Sequence, residues 1–391
     1  MTATISVLLY VARHRRFVAR RLRCLTAFTH DEIARYARHL SLSGFGPAAQ
    51  EKLKRGRVLV IGAGGLGCPA LLYLASAGVG RIEILDADRV DVSNLARQVL
   101  FTSEDAGQLK VAVAARRLRA LNPFIEIVPR TERFTRANAL EYLRECDVVV
   151  DGSDNFATRY LVNDACVIAG TPFIYGAIHG FEGQASVFNW RDGPTYRCLF
   201  PEPAEPATVP NCAEAGVLGV LPGLIGTVQA TETIKLLTGI GETLSGRLLL
   251  WDALTMRTRT VTLAADPRSR DIRELSPERY GETCAIESRS STDEIEVPEL
   301  RAALSQMQLI DVREDWERAA GAILPSAHVP LEALRRGQDS AVIKLLDPAK
   351  ATVVYCSQGA RSRKALRILR DFYGFTHTRS LRGGYQAWNA G

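Results

Sequence analysis

Arg57-Val-Leu-Val-Ile61 runs into Gly62-Ala-Gly-Gly-Leu-Gly67, then into a helical stretch from about Leu66 to Ala77, then into Arg81-Ile-Glu-Ile-Leu85 and Asp86. A short apolar run, a glycine loop, a helix-period run and a second apolar run read as strand, turn, helix, strand. That is the opening of a doubly wound parallel sheet. In such a loop the missing side chains let the backbone approach a phosphate, and the following helix offers free N–H groups and the positive end of its dipole. The loop alone implies only a nucleotide, most commonly NAD. Asp86, about 20 residues beyond the loop, stands where a ribose hydroxyl is gripped. No Gly-Lys-Ser/Thr follows a glycine loop, which argues against a P-loop hydrolase.

Working outward, Thr29-His-Asp-Glu reads as a capping box ahead of a helix over Asp31–Leu40. Helices near Lys110–Leu121, Arg136–Arg144 and Phe156–Ala169 alternate with strands at Ile125–Val128, Asp147–Val150 and Phe173–Gly176. A helix at Val220–Leu237 and strands at Leu248–Trp251 and Thr258–Leu263 close this unit. Ala264–Asp293 loses periodicity and reads as a linker, after which residues 294–391 alternate again. The expected fold class is α/β: a Rossmann-like, largely parallel, doubly wound domain over 29–263, a linker over 264–293, and a small α/β domain over 294–391.

The chain has 391 residues, 47% apolar and 24% charged, which excludes a disordered or disulfide-scaffold protein. Its formal charge of +6 is local. Arg13, Arg15, Arg16, Arg20, Arg21 and Arg23 account for it, because without those six of the 49 Lys and Arg the chain balances its 43 Asp and Glu. Residues 1–28 therefore read as a basic extension, expected to be disordered, and the body carries no nucleic-acid signature. No stretch reaches the roughly 18 apolar residues of a membrane span. The arginines follow the apolar run Ile5–Val11, the reverse of a secretory signal. Eight cysteines without repeated spacing fit reduced thiols in the cytoplasm. Cys146 and Cys166 lie in apolar surroundings and read as core.

The neighbours of the loop separate a cofactor from a nucleotide substrate. Asp86-Ala-Asp88, Ser93-Asn94-Leu-Ala-Arg97-Gln98, Gly107-Gln-Leu-Lys110 and Asp151-Gly-Ser-Asp154-Asn155 follow in order. Two cations and an amide placed just after the ribose carboxylate suit a triphosphate, whereas a nicotinamide needs no such charge. With Arg35-Tyr-Ala-Arg38 and Cys212-Ala-Glu-Ala-Gly216, residues 29–263 closely resemble the ThiF/MoeB/HesA-type, ubiquitin-activating-like adenylyltransferases. The resemblance implies ATP-dependent activation of the C-terminal glycine of a small ubiquitin-like sulfur-carrier protein. By matching position, Gly62, Gly64, Gly65 and Gly67 approach the phosphates and Asp86, with Asp88 beside it, serves the ribose. Asn94, Arg97, Gln98 and Lys110 hold the triphosphate. Asp154, next to Asn155, binds Mg2+, and Arg38 reaches the ATP of the partner subunit in a homodimer. Attack of a carboxylate on the α-phosphate needs charge neutralised rather than an acid–base pair, so Arg, Lys and a metal ion are the expected machinery.

Cys356-Ser-Gln-Gly-Ala-Arg361-Ser362 sits between the strand Thr352–Tyr355 and a helix over Lys364–Phe372. Backbone N–H groups, the helix dipole, Arg361 and Arg363 are expected to favour thiolate there, which makes Cys356 a nucleophile. With Asp311-Val-Arg-Glu314 and Gly383-Gly-Tyr-Gln-Ala-Trp388, residues 295–391 resemble a rhodanese domain. Four residues separate Cys356 from Arg361; a related phosphatase class has one more, and the shorter loop suits sulfur. The adenylyltransferases often carry two Cys-x-x-Cys pairs that hold zinc. Here Thr195 precedes Cys198 where the first pair belongs, and Asp266-Pro-Arg-Ser replaces the second. No zinc is expected, which fits the zinc-less adenylyltransferase/sulfurtransferase subgroup with a C-terminal rhodanese domain.

The two resemblances imply consecutive steps. The first domain makes a carrier acyl-adenylate, and a Cys356 persulfide, loaded from a cysteine desulfurase or thiosulfate, attacks it. Cys212 either resolves the acyl-disulfide or takes the acyl group first as a thioester. A nicotinamide-dependent oxidoreductase with an appended sulfurtransferase, and a nucleotide-sensing docking protein, are the alternative classes. The molybdopterin, thiamine, cysteine and tRNA-thiolation routes are all served by such carriers.

Overall fold

In the computed structural model, residues 27–202, 216–276, 280, 293–338 and 340–390 are described. The basic extension up to residue 26, Cys24, Cys212 and Cys284 lie outside them. The chain divides into two compact units at Gly281/Glu282.

The first unit opens with helices α1 (His30–Arg35) and α2 (Ala37–Ser41), then α3 (Gly46–Arg55). The Thr29 capping box forms as read, with Thr29 and Glu32 exchanging backbone hydrogen bonds, but the helix breaks at Tyr36. Tyr36 is held from outside, for Asn122 donates to its hydroxyl at 2.8 Å. The strands are β1 (Arg57–Ile61), β2 (Arg81–Leu85), β3 (Glu126–Arg130), β4 (Val148–Asp151), β5 (Phe173–His179), β6 (Glu182–Phe188), β7 (Arg247–Asp252) and β8 (Arg257–Thr262). Between them lie α4 (Gly67–Ala77), α5 (Lys110–Leu121), α6 (Ala139–Leu143), α7 (Phe156–Ala169), α8 (Tyr196–Leu199) and α9 (Val220–Thr238).

The sheet order is β3-β2-β1-β4-β5-β6-β7-β8. Pairing is parallel from β3 through β5 and antiparallel from β5 to β8. The reversal of strand order beside β1 places a crevice at the carboxyl ends of β1 and β4, where open α/β sheets bind ligands. Val58, Leu59, Val60 and Ile61 are all buried because helices cover both faces, the pattern a central parallel strand requires. One core lies among Val58, Val60, α4, α5 and α9; the other lies among Leu59, Ile61, α7, Phe173 and Tyr196.

Strand β6 escaped the sequence reading because Glu182-Gly-Gln-Ala-Ser has no apolar run, yet it is buried beyond its first residues. The helix read over Arg136–Arg144 is only Ala139–Leu143. The stretch read as a linker is packed on the first unit where it begins: Ser269 meets Cys198, and Arg270 donates to Asn189 and to the carbonyls of Arg191 and Gly193.

The second unit carries β9 (Glu294–Ile295), α10 (Val297–Ala303), β10 (Gln308–Asp311), α11 (Asp315–Ala319), β11 (Ala327–His328), α12 (Leu331–Arg336), β12 (Thr352–Tyr355), α13 (Ala360–Tyr373), β13 (Thr378–Leu381) and α14 (Gly384–Ala390). Its sheet, β11-β10-β12-β13-β9, is parallel throughout. Helix α13 starts four residues earlier than the sequence suggested, so Arg361 belongs to its first turn rather than to the preceding loop.

The crossing of loop and helix in the first unit leaves no room for a methyl group. A Cβ on Gly67 would stand 1.9 Å from the Gly62 carbonyl oxygen. Gly67→Ala is therefore expected to lose about 1–3 kcal/mol of stability, read as a lower urea midpoint for the first unit. An unchanged midpoint would show that the loop relaxes freely.

Candidate functional site

Strand β1 delivers the glycine loop to the crevice. Gly62 is left-handed at φ +91°, and a Cβ there would lie 3.0 Å from the Gly152 carbonyl oxygen, so only glycine suits the turn between β1 and β4. Asp86, just past β2, accepts from the Ala63 N–H at 2.8 Å and from the Asp88 N–H at 2.8 Å. Burial pushes its carboxyl up, against the lowering pull of Lys110. Lys110 is itself buried at the start of α5, its Nζ 3.2 Å from Asp88 Oδ2.

The other wall is the turn after Asp91. Asn94 Oδ1 accepts from Gln98 Nε2 at 2.7 Å and from Arg97 Nη2 at 3.4 Å. A Cβ on Gly64 would meet Gln98 Nε2 at 3.8 Å, and one on Gly65 would meet Arg97 Cγ at 3.6 Å, so this turn lies against the glycine loop. Gln98 Oε1 is buried without a partner among the described residues. Beyond β4, Asp154 is exposed, and Asn155 caps α7 by accepting from the Thr158 N–H at 2.9 Å.

The structure thus brings together Gly62, Gly64, Gly65, Gly67, Asp86, Asp88, Asn94, Arg97, Gln98 and Lys110. Arg38 is exposed on α2, and among the described residues no hydrogen bond joins its side chain to this group. Sequence reasoning missed the floor of the crevice. Asp151 is fully buried; Oδ1 accepts from the Ser153 N–H at 3.0 Å, while Oδ2 and the Ser153 hydroxyl have no partner among the described residues. Burial pushes this carboxyl up, offset by the positive charge of Arg159. An aspartate closing an all-apolar strand was its available signal.

In the second unit, β12 ends on Cys356, which is buried. The Gly359 N–H donates to its Sγ at 3.0 Å, and the Ser362 hydroxyl lies 3.7 Å away. The Gly383-Gly-Tyr segment clamps the loop: the Tyr385 N–H donates to the Cys356 carbonyl at 2.7 Å. A Cβ on Gly384 would stand 2.3 Å from that same oxygen. Below, the buried Arg313 guanidinium binds Asp311 at 3.0 and 2.8 Å and stacks on Tyr385, 4.1 Å from the ring centre.

Neither Arg361 nor Arg363 is hydrogen-bonded to the sulfur. Glu317, which the sequence reading missed, takes Arg361 through two bonds of 2.6 Å and accepts from the Ser357 hydroxyl. Arg363 pairs with Glu294 at 3.1 Å. Burial pushes the Glu317 carboxyl up, but its bonds to Arg361, Ser357 and the Glu314 backbone outweigh that and hold it at about 2.

Cys198 stands where the first Cys-x-x-Cys pair belongs, with Thr195 in the position of its partner. Its Sγ accepts from the Thr195 N–H and the Asp266 N–H, each at 3.3 Å, and lies 3.1 Å from Ser269 Oγ. Among the described residues no group of three or more His, Cys, Asp or Glu is placed to hold a metal ion.

A nucleotide crevice on a doubly wound unit, followed by a cysteine loop at the end of a parallel strand, defines a two-part group-transfer protein. Residues 36–271 match the ThiF family and residues 296–391 match the rhodanese-like domain. The chain is 44% identical to "Probable adenylyltransferase/sulfurtransferase MoeZ" of Mycobacterium tuberculosis, over 93% of this chain and 94% of that one. It is 53% identical to the "Sulfur carrier protein adenylyltransferase" of Thermus thermophilus, over 62% of this chain and 91% of that one. It is 40% identical to "Adenylyltransferase and sulfurtransferase MOCS3" of Sus scrofa, over 93% and 87%. Among solved structures, the chain is similar to E. coli MccB with ATP, at a TM-score of 0.52 and 25% identity over 60% of this chain and 72% of that one. The chain belongs to the ThiF family and carries a C-terminal rhodanese-like domain. It is an enzyme that joins an adenylyltransferase to a sulfurtransferase.

The thiols separate sharply. For Cys198, burial raises the thiol, but the hydrogen bonds from Asp266, Ser269 and Thr195 outweigh it and lower it below the ordinary value. Burial pushes Cys68 and Cys146 up to about 12, and pushes Cys166 well above the ordinary thiol value. Thiolate is the reactive form, so at pH 7.5, mildly basic by choice of about one unit below a free thiol, iodoacetamide is expected to modify Cys198 ahead of those three. Peptide mass spectrometry reads the order, and faster labelling of Cys68 or Cys146 would contradict it.

Proposed function

We propose that the enzyme uses ATP to adenylate the C-terminal glycine of a small ubiquitin-like sulfur-carrier protein, and then converts that carrier to its thiocarboxylate with sulfur held on Cys356. The observation that carries the reading is the crevice itself: a side-chain-free backbone cradle with Arg97 and Gln98 against one wall and Asp86 and Lys110 on the other. The printed names of the Thermus relative and of the MccB complex with ATP agree with it.

Adenylation draws on ATP. In this reading Gly62, Gly64, Gly65 and Gly67 pass close to the phosphates, and Asp86 and Asp88 orient the ribose side. Asn94, Arg97, Gln98 and Lys110 offset the charge of the triphosphate and of the leaving pyrophosphate. The exposed carboxylate of Asp154, just past β4, is an oxygen donor of the kind that suits a hard cation. Asp154 would hold Mg2+, which supplies neutralisation of phosphate charge when bound. Arg38, exposed and apart from the crevice, is assigned to the partner's nucleotide in a homodimer. The reading includes no zinc, supported by Thr195, Asp266 and Ser269 standing around Cys198. It places the enzyme in the cytoplasm, away from membranes and nucleic acid; among the described residues no helix is long and apolar enough to cross a membrane. In this reading the basic extension covers 1–28, the adenylyltransferase domain 29–263 and the sulfurtransferase domain 294–391, with 264–293 joining them and its first residues packed on the first unit.

The chemistry balances in three steps. The carrier carboxylate attacks the α-phosphorus, an O–P bond forms, and pyrophosphate leaves. The outer sulfur of the Cys356 persulfide then attacks the acyl carbon, forming C–S as the bond to AMP breaks. A second thiol, assigned to Cys212, attacks the Cys356 sulfur, releasing the carrier thiocarboxylate and leaving a disulfide that an external thiol reduces. In the other order Cys212 holds the acyl group first as a thioester.

Cys356→Ala is expected to keep carrier-dependent ATP–pyrophosphate exchange and to abolish thiocarboxylate formation, while Asp154→Ala loses both. Mass spectrometry of the carrier and exchange of labelled pyrophosphate read the two steps. Normal thiocarboxylate yield from Cys356→Ala would end the tandem reading.

A further inference from the structure

Arg361, Arg363 and Arg382, around the Cys356 loop, are each paired with a carboxylate. From the loop's own helix, Arg361 is held bidentately by Glu317 of α11, and Arg363 pairs with Glu294 of β9. Past β13, Arg382 pairs with Glu294 and Glu296. Beneath the loop, Asp311 is shared by Arg313 at 2.8 Å and Arg318 at 3.4 Å. Arg361 spends one donor of each Nη on Glu317, and Nη2 also donates to the Ser357 hydroxyl at 3.2 Å, so the adjacent carboxylate offsets much of the charge that the guanidinium could offer a third group. The Arg361–Glu317 contact is also poorly exposed, with side chains 18% and 9% accessible, so solvent does little to loosen it. The Ser357 hydroxyl, the next donor after Cys356, is likewise spent on Glu317. What remains for an incoming donor is the backbone cradle, including the Gly359 N–H on the sulfur.

The pairing of Arg361 with Glu317 bears on what can load the cysteine, an inference that rests on the sulfurtransferase reading above. Thiosulfate loading is Cys356–S⁻ + S–SO3²⁻ → Cys356–S–S⁻ + SO3²⁻, so a dianion approaches a thiolate and a dianion leaves. Loading from an organic persulfide is Cys356–S⁻ + R–S–SH → Cys356–S–SH + R–S⁻, with a neutral reactant and a monoanionic leaving group. The first needs an available cation; the second does not. We infer that Glu317 is a specificity residue of the sulfurtransferase unit: by occupying Arg361 it makes Cys356 take sulfur from an organic persulfide in preference to the thiosulfate dianion.

The test uses the full chain with thiosulfate or 2-hydroxyethyl persulfide as donor. Gain of one sulfur atom on the Cys356 peptide is followed by mass spectrometry, with sulfite release as a second readout. Glu317→Gln keeps the shape and the capping hydrogen bond to the Glu314 N–H but returns one positive charge to the loop. Its persulfide-to-thiosulfate ratio of kcat/KM is expected to fall about tenfold, through KM for thiosulfate rather than kcat. Glu317→Asp, which retains the charge, is expected to restore the wild-type preference. An unchanged ratio in Glu317→Gln overturns the inference. Should that variant not fold, the wild-type enzyme decides: thiosulfate loading is expected to vary less than about twofold between low and high salt, because paired charges leave little field to screen, and a steep fall overturns the inference. If the wild type accepts sulfur on Cys356 from neither donor, the sulfurtransferase role of the loop fails, and the specificity inference with it.

Discussion

The approach of Gly67 to the Gly62 carbonyl is the constraint from which the first unit is built. Helix α4 starts so close to the end of β1 that a methyl group has no place between them. Because β1 pairs with both β2 and β4, fixing this crossing also fixes where Asp86 and Gly152 emerge. Asp86 then ties itself to the loop through the Ala63 N–H, and Lys110 follows from the Asp88 carbonyl, to which its own N–H donates at 3.0 Å. The crevice is thus a consequence of backbone packing, with Asp86 and Lys110 placed by backbone hydrogen bonds and the Lys110–Asp88 ion pair added on top of them.

That hierarchy explains what could be read from the sequence. Strands β1, β2 and β12 and helices α5 and α7 are continuous apolar or helix-period runs with sharp ends, and their bounds agree with the reading residue for residue. Strand β6 is legible only from its surroundings. Gly183 must be small because Ile225 of α9 would lie 2.6 Å from a Cβ there, and no local pattern announces that. The position of Arg361 was misread for a related reason. Its helix begins at Gly359, which adopts φ +103°, a turn that the arginine-rich sequence around it does not advertise. Glu317 was invisible because its partner lies 44 positions later.

The two units handle charge in opposite ways. In the crevice Lys110 Nζ pairs with Asp88, which is more than half exposed, so an incoming phosphate can compete for the ammonium. Beside Cys356, Arg313 and Arg361 are committed to the poorly exposed carboxylates of Asp311 and Glu317. Breaking such a pair leaves an uncompensated charge in a poorly solvated place, a cost of about 3–5 kcal/mol. A substrate that binds the first unit can therefore recruit its cations, whereas one that binds the second must accept them as they are. This difference follows from where the acidic partners sit, and the count of arginines in the sequence carries no trace of it.

The Cys198 knot illustrates the same point about ties of different strength. Hydrogen bonds contribute about 1 kcal/mol each, and the contacts of Thr195, Asp266 and Ser269 with the Cys198 sulfur are ties of that modest kind. The segment around Asp266 needs other anchors, and Arg270 supplies them by donating to Asn189 Oδ1 and to the Arg191 and Gly193 carbonyls at 3.1, 2.7 and 2.6 Å. Asn189 in turn donates to the Cys166 and Thr171 carbonyls at 2.7 and 2.9 Å, which carries the tie into the core beneath α7. Asn189 and Arg191 both adopt positive φ, 55° and 54°, a backbone cost of about 1–3 kcal/mol each that persists only where surrounding bonds over-determine it. The attachment of this segment is therefore distributed over an arginine and a strained turn, with Cys198 as one participant among several.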